Sequence, residues 1–187
     1  MNIGFAICGS FCTFSKVFPI MKILQEQHSI TPIFSEAAYA TDTRFGTATE
    51  HIRTAETICR TAPLHSIVDV EPIGPRKLFD ILVIAPCTGN TLSKLAHGIA
   101  DGPVTMAAKS HLRNGRPILI AISTNDALST AAENIAKLMA KKHYYFVPFR
   151  QDDCEAKPFS MVADFPSIPR ALDAAVNQRQ IQPIIIK

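Results

Sequence analysis

Four stretches of this sequence place glycine, hydroxyl and amide side chains, or paired charges, directly after an apolar run. Residues of those types in that position can grip an anion. The first is Gly9-Ser10-Phe11-Cys12-Thr13, where a glycine frees the turn and a following helix offers backbone N–H groups without partners. Ser10 or Thr13 adds a hydroxyl donor, although an ordinary strand-to-helix turn has the same composition. A dinucleotide fingerprint would need two further glycines, and Phe11 and Phe14 occupy those places, so a Rossmann pyrophosphate site is not expected. Glu36, after the second apolar run, could imitate only the ribose-binding acid of such a site.

The second stretch, Ala85-Pro-Cys-Thr-Gly-Asn-Thr-Leu-Ser-Lys-Leu-Ala96, puts Thr88, Asn90 and Thr91 where helix N-cap side chains belong. Capping explains one of the three. All three beside Gly89 fit a bound phosphate or ribose better. The third stretch, Ala121 to Ala127, offers Ser123 and Asn125 either as caps or as groups facing a ligand ring. The fourth, Pro148 to Val162, holds Arg150, Asp152, Asp153 and Lys157 between prolines and two phenylalanines. It is either a solvated surface loop or a lid whose cations Arg150 and Lys157 face a dicarboxylate.

The elements that must position these stretches are legible from apolar patterning. Continuous apolar runs at Ile3 to Cys8, Ile30 to Phe34, Ile81 to Ala85, Ile118 to Ile122 and Tyr144 to Val147 read as strands buried on both faces, with a weaker strand at Ser66 to Val68. Between them, Phe14, Val17, Phe18, Met21 and Leu24 recur at helical spacing, and a helix over Ala127 to Ala140 gathers Lys137, Lys141 and Lys142 towards its negative end. Pro19 requires the first of these helices to begin near Ser15. Alternating strands and helices predict a three-layer, doubly wound parallel α/β sheet, whose ligands sit beyond the carboxyl ends of the strands. Residues 36 to 49 and 148 to 170 break the rhythm and are expected to be loops that serve a site or an interface.

Composition narrows the class. The 187 residues, 47% hydrophobic and 19% charged, suit one core, so a single domain over 1-187 is expected, loop-rich from about 148. A net charge of +3 without a polybasic run advertises neither nucleic acid nor a membrane surface, and no apolar run approaches the roughly 18 residues of a bilayer span. Five cysteines without a C-x-x-C pair suit a reducing, cytoplasmic setting, and six scattered histidines lack ligand spacing, so no metal is expected.

The run Ile84-Ala-Pro-Cys-Thr-Gly-Asn-Thr91 followed by Leu95-Ala-x-Gly-Ile-Ala-Asp101 resembles the P-A-S-A-N-T and A-x-G-I-A-D signature of the homo-oligomeric flavin-containing cysteine decarboxylases. That resemblance, over residues 2 to about 147, implies a Rossmann-like flavoprotein fold binding FMN. It also implies that Gly9, Ser10, Ser35, Thr88, Asn90, Thr91 and Ser123 line the phosphate and ribityl chain. The departures matter. The decarboxylases' essential histidine would fall at Pro72, their P-x-M-N stretch appears as Ile122-Ser-Thr-Asn125, and their cysteine-bearing flap has no counterpart.

Cys8-Gly-Ser-Phe-Cys12, Ala85-Pro-Cys-Thr-Gly-Asn90 and Asp152-Asp-x-x-x-Lys-Pro-x-Ser-Met161 are similar instead to the family of dipicolinate synthase B subunits, almost end to end. That family implies sporulation in the mother cell of endospore-forming bacteria, and a dipicolinate synthase A subunit that binds NAD(P). It also implies oxidation of dihydrodipicolinate to dipicolinate. On that basis Arg150 and Lys157 are expected carboxylate contacts, and Asp152 or Asp153 the catalytic base beside Lys157. Two other functions stay open: a stand-alone FMN-dependent decarboxylase or prenyl-flavin enzyme on a small carboxylate, and a non-catalytic scaffold.

Overall fold

A computed structural model describes residues 1–187. Five apolar runs become parallel strands, namely β1 (Asn2–Ile7), β2 (Ser29–Phe34), β3 (Ile81–Cys87), β4 (Ile118–Thr124) and β5 (Tyr144–Phe146). Their order is β2-β1-β3-β4-β5, so the chain winds outward from β1 in both directions. Every residue of β3 is buried, as continuous apolar character requires of a strand covered on both faces.

Helices α1 (Phe14–Gln25), α3 (Ala48–Cys59) and α8 (Ile168–Val176) pack together on one side, with the short α2 (Glu36–Ala40) against α3. The helices α4 (Ile67–Val70), α5 (Gly89–His97), α6 (Pro103–Leu112) and α7 (Ala132–Met139) form the other layer. The α1 stripe of Phe14, Val17, Phe18, Met21 and Leu24 faces the core as expected. The three-layer α/β fold expected from the sequence is the one observed. No helix is long and apolar enough to cross a membrane.

Three expectations are corrected. Residues 148 to 170 are not mainly loop: β6 (Phe149–Asp153) and β7 (Lys157–Ala163) form an antiparallel hairpin. It adds to the sheet where β7 pairs with Ser123 and Thr124 at the end of β4, beyond the reach of β5. Ser66 to Val68 is not a strand. The Ser66 side chain accepts the Asp69 N–H and the Asp69 carboxylate accepts the Ser66 N–H, a reciprocal cap that starts α4. The helix expected from Ala127 begins only at Ala132, because the Asp126 carboxylate takes the hydroxyls of Thr124 and Thr130 and holds the intervening residues in turns.

Both edges of the parallel sheet are blunted. Leu64 exchanges backbone hydrogen bonds with β2, and the Gln180 side chain both donates to the Phe146 carbonyl and accepts its N–H at 2.8 Å, in place of a strand neighbour to β5. Ile184 and Ile186 bond the backbone of Phe149 at the start of β6.

At the carboxyl end of α6, His111 is 1% exposed and its Nε2 donates to the Pro117 carbonyl at 3.0 Å. Burial pushes its pKa from 6.5 down to about 4, against the opposing pull of that carbonyl. Between those values the unfolded chain binds a proton that the folded chain refuses, so His111 costs stability as the pH falls through this window. Urea unfolding from about pH 7 to about pH 4 should therefore cost wild type about 3 kcal/mol more than His111→Gln. Equal losses in the two proteins would contradict this assignment.

Candidate functional site

The carboxyl ends of β1, β3 and β4 lie side by side, and two cavities open above them. The larger is a cleft of about 1090 Å³. Its polar floor comes from Gly9, Ser10 and Thr13 after β1, Thr88 to Asn90 after β3, and Ser123 to Asp126 at and just beyond the end of β4. The smaller, about 320 Å³, is lined by Ser35 to Ala37 after β2, Thr91 and Lys94 of α5, and Gly102 to Thr105 at the start of α6. Gly9, Thr88 and Asn90 belong to both, so these three residues form the wall that the cavities share.

Local bonding fixes this wall. Ser10 and Ser123, 113 residues apart, join their hydroxyls at 2.8 Å across the end of β3. Thr13 donates its hydroxyl to the Ser10 carbonyl at 2.7 Å, which closes the turn into α1. Thr88 caps α5 by accepting the Thr91 N–H at 3.4 Å, and its hydroxyl meets that of Thr91 at 3.2 Å. Thr91 is buried and donates to the Cys8 sulfur at 3.3 Å. Lys141 donates to the Ala96 carbonyl at 2.8 Å, so α5 is held at both ends.

The smaller cavity is rich in donors. The first turns of α2, α5 and α6 all border it, and first-turn N–H groups have no acceptor within their own helix. Ser35 caps α2 through Ala38 N at 3.2 Å, and the Thr105 hydroxyl donates to the Gly102 carbonyl at 3.1 Å. Lys94 supplies a cation but is bonded to Asp101 at 2.9 Å, and Glu36 supplies a carboxylate that weighs against an anion. The cavity therefore offers directed hydrogen bonds rather than net charge.

The larger cleft combines that polar floor with apolar walls. Phe11, Cys12, Phe45, Met161 and Val162 face it, and Phe45 is 46% exposed. Its charged groups are Lys16, Arg44, Asp126, Asp152 and Lys157. Burial raises the Asp126 carboxyl, but the Thr124 and Thr130 hydroxyls outweigh it and leave the pKa below its usual value, so Asp126 is a structural anion. Lys157 is bonded to Asp152 at 2.6 Å, a contact that raises the ammonium pKa.

Of the residues singled out from sequence, Gly9, Ser10, Thr13, Thr88, Asn90, Ser123, Asn125, Asp152 and Lys157 line the larger cleft, while Ser35 and Thr91 line only the smaller cavity. Two lie elsewhere. Arg150 pairs with Val162 one strand farther out, and the Asp153 carboxylate accepts the Glu155 and Ala156 N–H groups at 3.1 and 2.9 Å within the hairpin turn. Sequence reasoning missed Lys16, Arg44 and Phe45. The signal for the last two was the aperiodic segment 36 to 49, whose turn carries them to the cleft.

Close packing ties the β3 and β4 ends together at Gly89. A Cβ there would stand 2.5 Å from Asp126 Oδ1 and 2.8 Å from Thr124 Oγ1. Gly89→Ala must therefore displace the turn that carries Ser123 and Asn125, at an expected cost of about 1–3 kcal/mol in denaturant unfolding. An unchanged midpoint would show that the two turns are independent.

Comparison with known proteins gives these surfaces relatives. The Flavoprotein family matches residues 1–173. The dipicolinate synthase B subunit of Bacillus subtilis (strain 168) is 42% identical over 187 residues, which is 100% of this chain and 94% of that protein. The crystal structure of the dipicolinate synthase B subunit from Bacillus halodurans C superposes with a TM-score of 0.91 at 43% identity, covering 100% of this chain and 96% of the other. The FMN-dependent cysteine decarboxylase SpaF shares the fold, with a TM-score of 0.71 at 24% identity over 95% of this chain and 96% of its own. A match spanning nearly the whole length, in sequence and in fold, places the chain in the flavoprotein family, among the dipicolinate synthase B subunits.

Proposed function

We propose that this chain is the B subunit of a two-subunit dipicolinate synthase, binding FMN across the shared wall and presenting dihydrodipicolinate in the larger cleft. The observation that carries the proposal is that Gly9, Thr88 and Asn90 face both cavities at once. A ligand with a phosphate at one end and a planar ring at the other can use the two together. The donor set suits such a group: hydroxyls of Ser35, Thr88 and Thr105 with first-turn amides for a phosphate, then Ser10, Asn90 and Ser123 for the ribityl chain. Phe11, Phe45 and Met161 offer apolar surface to a ring. The cleft alone, at about 1090 Å³, exceeds the roughly 300–1,000 Å³ of single-ligand pockets, so a small dicarboxylate fits beside the ring.

Aromatising the dihydropyridine removes a hydride and a proton. NAD(P), held by an A subunit, would supply the hydride acceptor, and this chain would need to offer a proton acceptor near the ring. Asp152 is the acceptor candidate of the hairpin that lines the cleft, and Lys157 orients it at 2.6 Å. Flavin, when bound, would supply a flat, redox-active ring. Exposed Leu128 and Phe159, whose backbones are joined at 3.0 Å beside the hairpin, suit burial by the A subunit or by another copy in a homo-oligomer.

The decarboxylase alternative is the weaker reading, although a decarboxylase shares the fold. Pro72 stands where the histidine base would be, and it lies in a short 3-10 turn packed against α6 rather than in either cavity. The purified chain titrated with FMN should perturb the flavin absorbance to saturation, and Asn90→Leu should weaken binding about tenfold, the loss of one directed hydrogen bond. With the A subunit and NAD(P) added, wild type should form dipicolinate. A chain that leaves the FMN spectrum unchanged, or an Asn90 variant that binds as tightly as wild type, would remove the proposed wall.

A further inference from the structure

Three cations line the larger cleft, and their surroundings differ. Lys157 is already neutralised by Asp152. None of the molecule's ion pairs uses Lys16, on α1, or Arg44, between α2 and α3. The cleft's other acid, Asp126, is satisfied by two hydroxyls. The positive charge still available to a ligand therefore sits at Lys16 and Arg44.

Arg44 is carried on a turn built to hold its shape. Thr43 and Gly46 exchange both backbone hydrogen bonds, at 3.0 and 3.1 Å, and Phe45 N–H donates to the Thr43 hydroxyl at 3.1 Å. Asp42 accepts the Ala48 N–H at 2.8 Å, which fastens the turn to the start of α3. The turn rests on His51, 7% exposed, whose ring packs among Phe11, Phe14 and Phe18. Gly46, at φ +130°, leaves no room for a side chain over it, since a Cβ would lie 2.7 Å from the His51 ring. Arg44 lies 4.9 Å from the centre of the Phe45 ring, so charge and aromatic face reach the cleft as one unit.

We propose that Arg44 and Lys16 receive the two carboxylates of a planar dianionic ring in the cleft, with the Thr43 to Gly46 turn as the recognition lip. Arg150, outside the cleft, takes no part. The substrate class rests on the function proposed above; the assignment of residues does not depend on flavin. Two separated cations on different elements select for two carboxylates, because a monocarboxylate can satisfy only one of them. Arg44→Lys is then not conservative, since a point charge replaces a planar fork stacked beside Phe45.

Calorimetric titration of the full chain, with and without saturating FMN, against pyridine-2,6-dicarboxylate and pyridine-2-carboxylate tests this. Wild type should prefer the dicarboxylate by about tenfold or more. Arg44→Met and Lys16→Met should each weaken dicarboxylate binding about tenfold and bring the ratio of the two affinities close to one, whereas Arg150→Met should stay within about twofold of wild type. The FMN absorbance titration of all variants should match wild type. Single variants that keep the dicarboxylate preference would overturn the assignment, as would a loss on Arg150→Met. If wild type binds FMN but no dicarboxylate, the recognition lip fails and the flavin site stands. Dicarboxylate binding that depends on Arg44 in a chain that takes no FMN supports the lip and removes the flavin proposal alone.

Discussion

The parallel ladder joining β1, β3 and β4 is the constraint on which the rest of the molecule depends. It brings three strand ends to one edge of the slab, and each is followed by a turn whose next helix or turn series points its unpaired amides upward. The Ser10 to Ser123 hydrogen bond closes the gap above β3 and fixes how far the outer turns can separate. Gly89 lets the β4 turn settle against α5 with almost no clearance. Donor geometry at the shared wall is therefore set by backbone packing deep in the sheet, not by mobile side chains.

Around that wall the charges are arranged unevenly. Lys94 is committed to Asp101 and Lys157 to Asp152, both at solvent-exposed positions where an ion pair adds little stability. Their effect is to remove charge from the smaller cavity and from the hairpin side of the cleft. Lys16 and Arg44 on the opposite side remain available. One chain thus separates a cavity rich in hydrogen-bond donors from a cleft side with unpaired positive charge, an arrangement that suits the cofactor and the anionic substrate proposed above.

How much of this was legible in the sequence follows from the physics of each part. The five parallel strands were, because strands covered on both faces keep short, mostly apolar runs between turn residues. The α1 stripe was legible for the same reason at helical period. The hairpin was not, since Arg150 to Pro158 is exposed and carries no alternation, and its pairing to Ser123 and Thr124 is a long-range event that local pattern cannot report. Ser66 to Val68 reads as a strand only until the Ser66 and Asp69 cap is recognised. The polar turns at Gly9, Thr88 and Ser123 that line the cleft could be found because they stand at the ends of strands. Lys16 and Arg44 could not, since a lysine on a helix surface and an arginine in an aperiodic turn look like ordinary solvated charge until the fold brings them to one cleft.

The central claim is that one ligand spans both cavities across Gly9, Thr88 and Asn90. A crystal structure of the full chain grown with FMN tests it most directly. The account predicts phosphate density among Ser35, Thr88 and Thr105 and ring density beside Phe11 and Phe45, connected past Asn90. Flavin density confined to one cavity, or lying elsewhere on the surface, would contradict it.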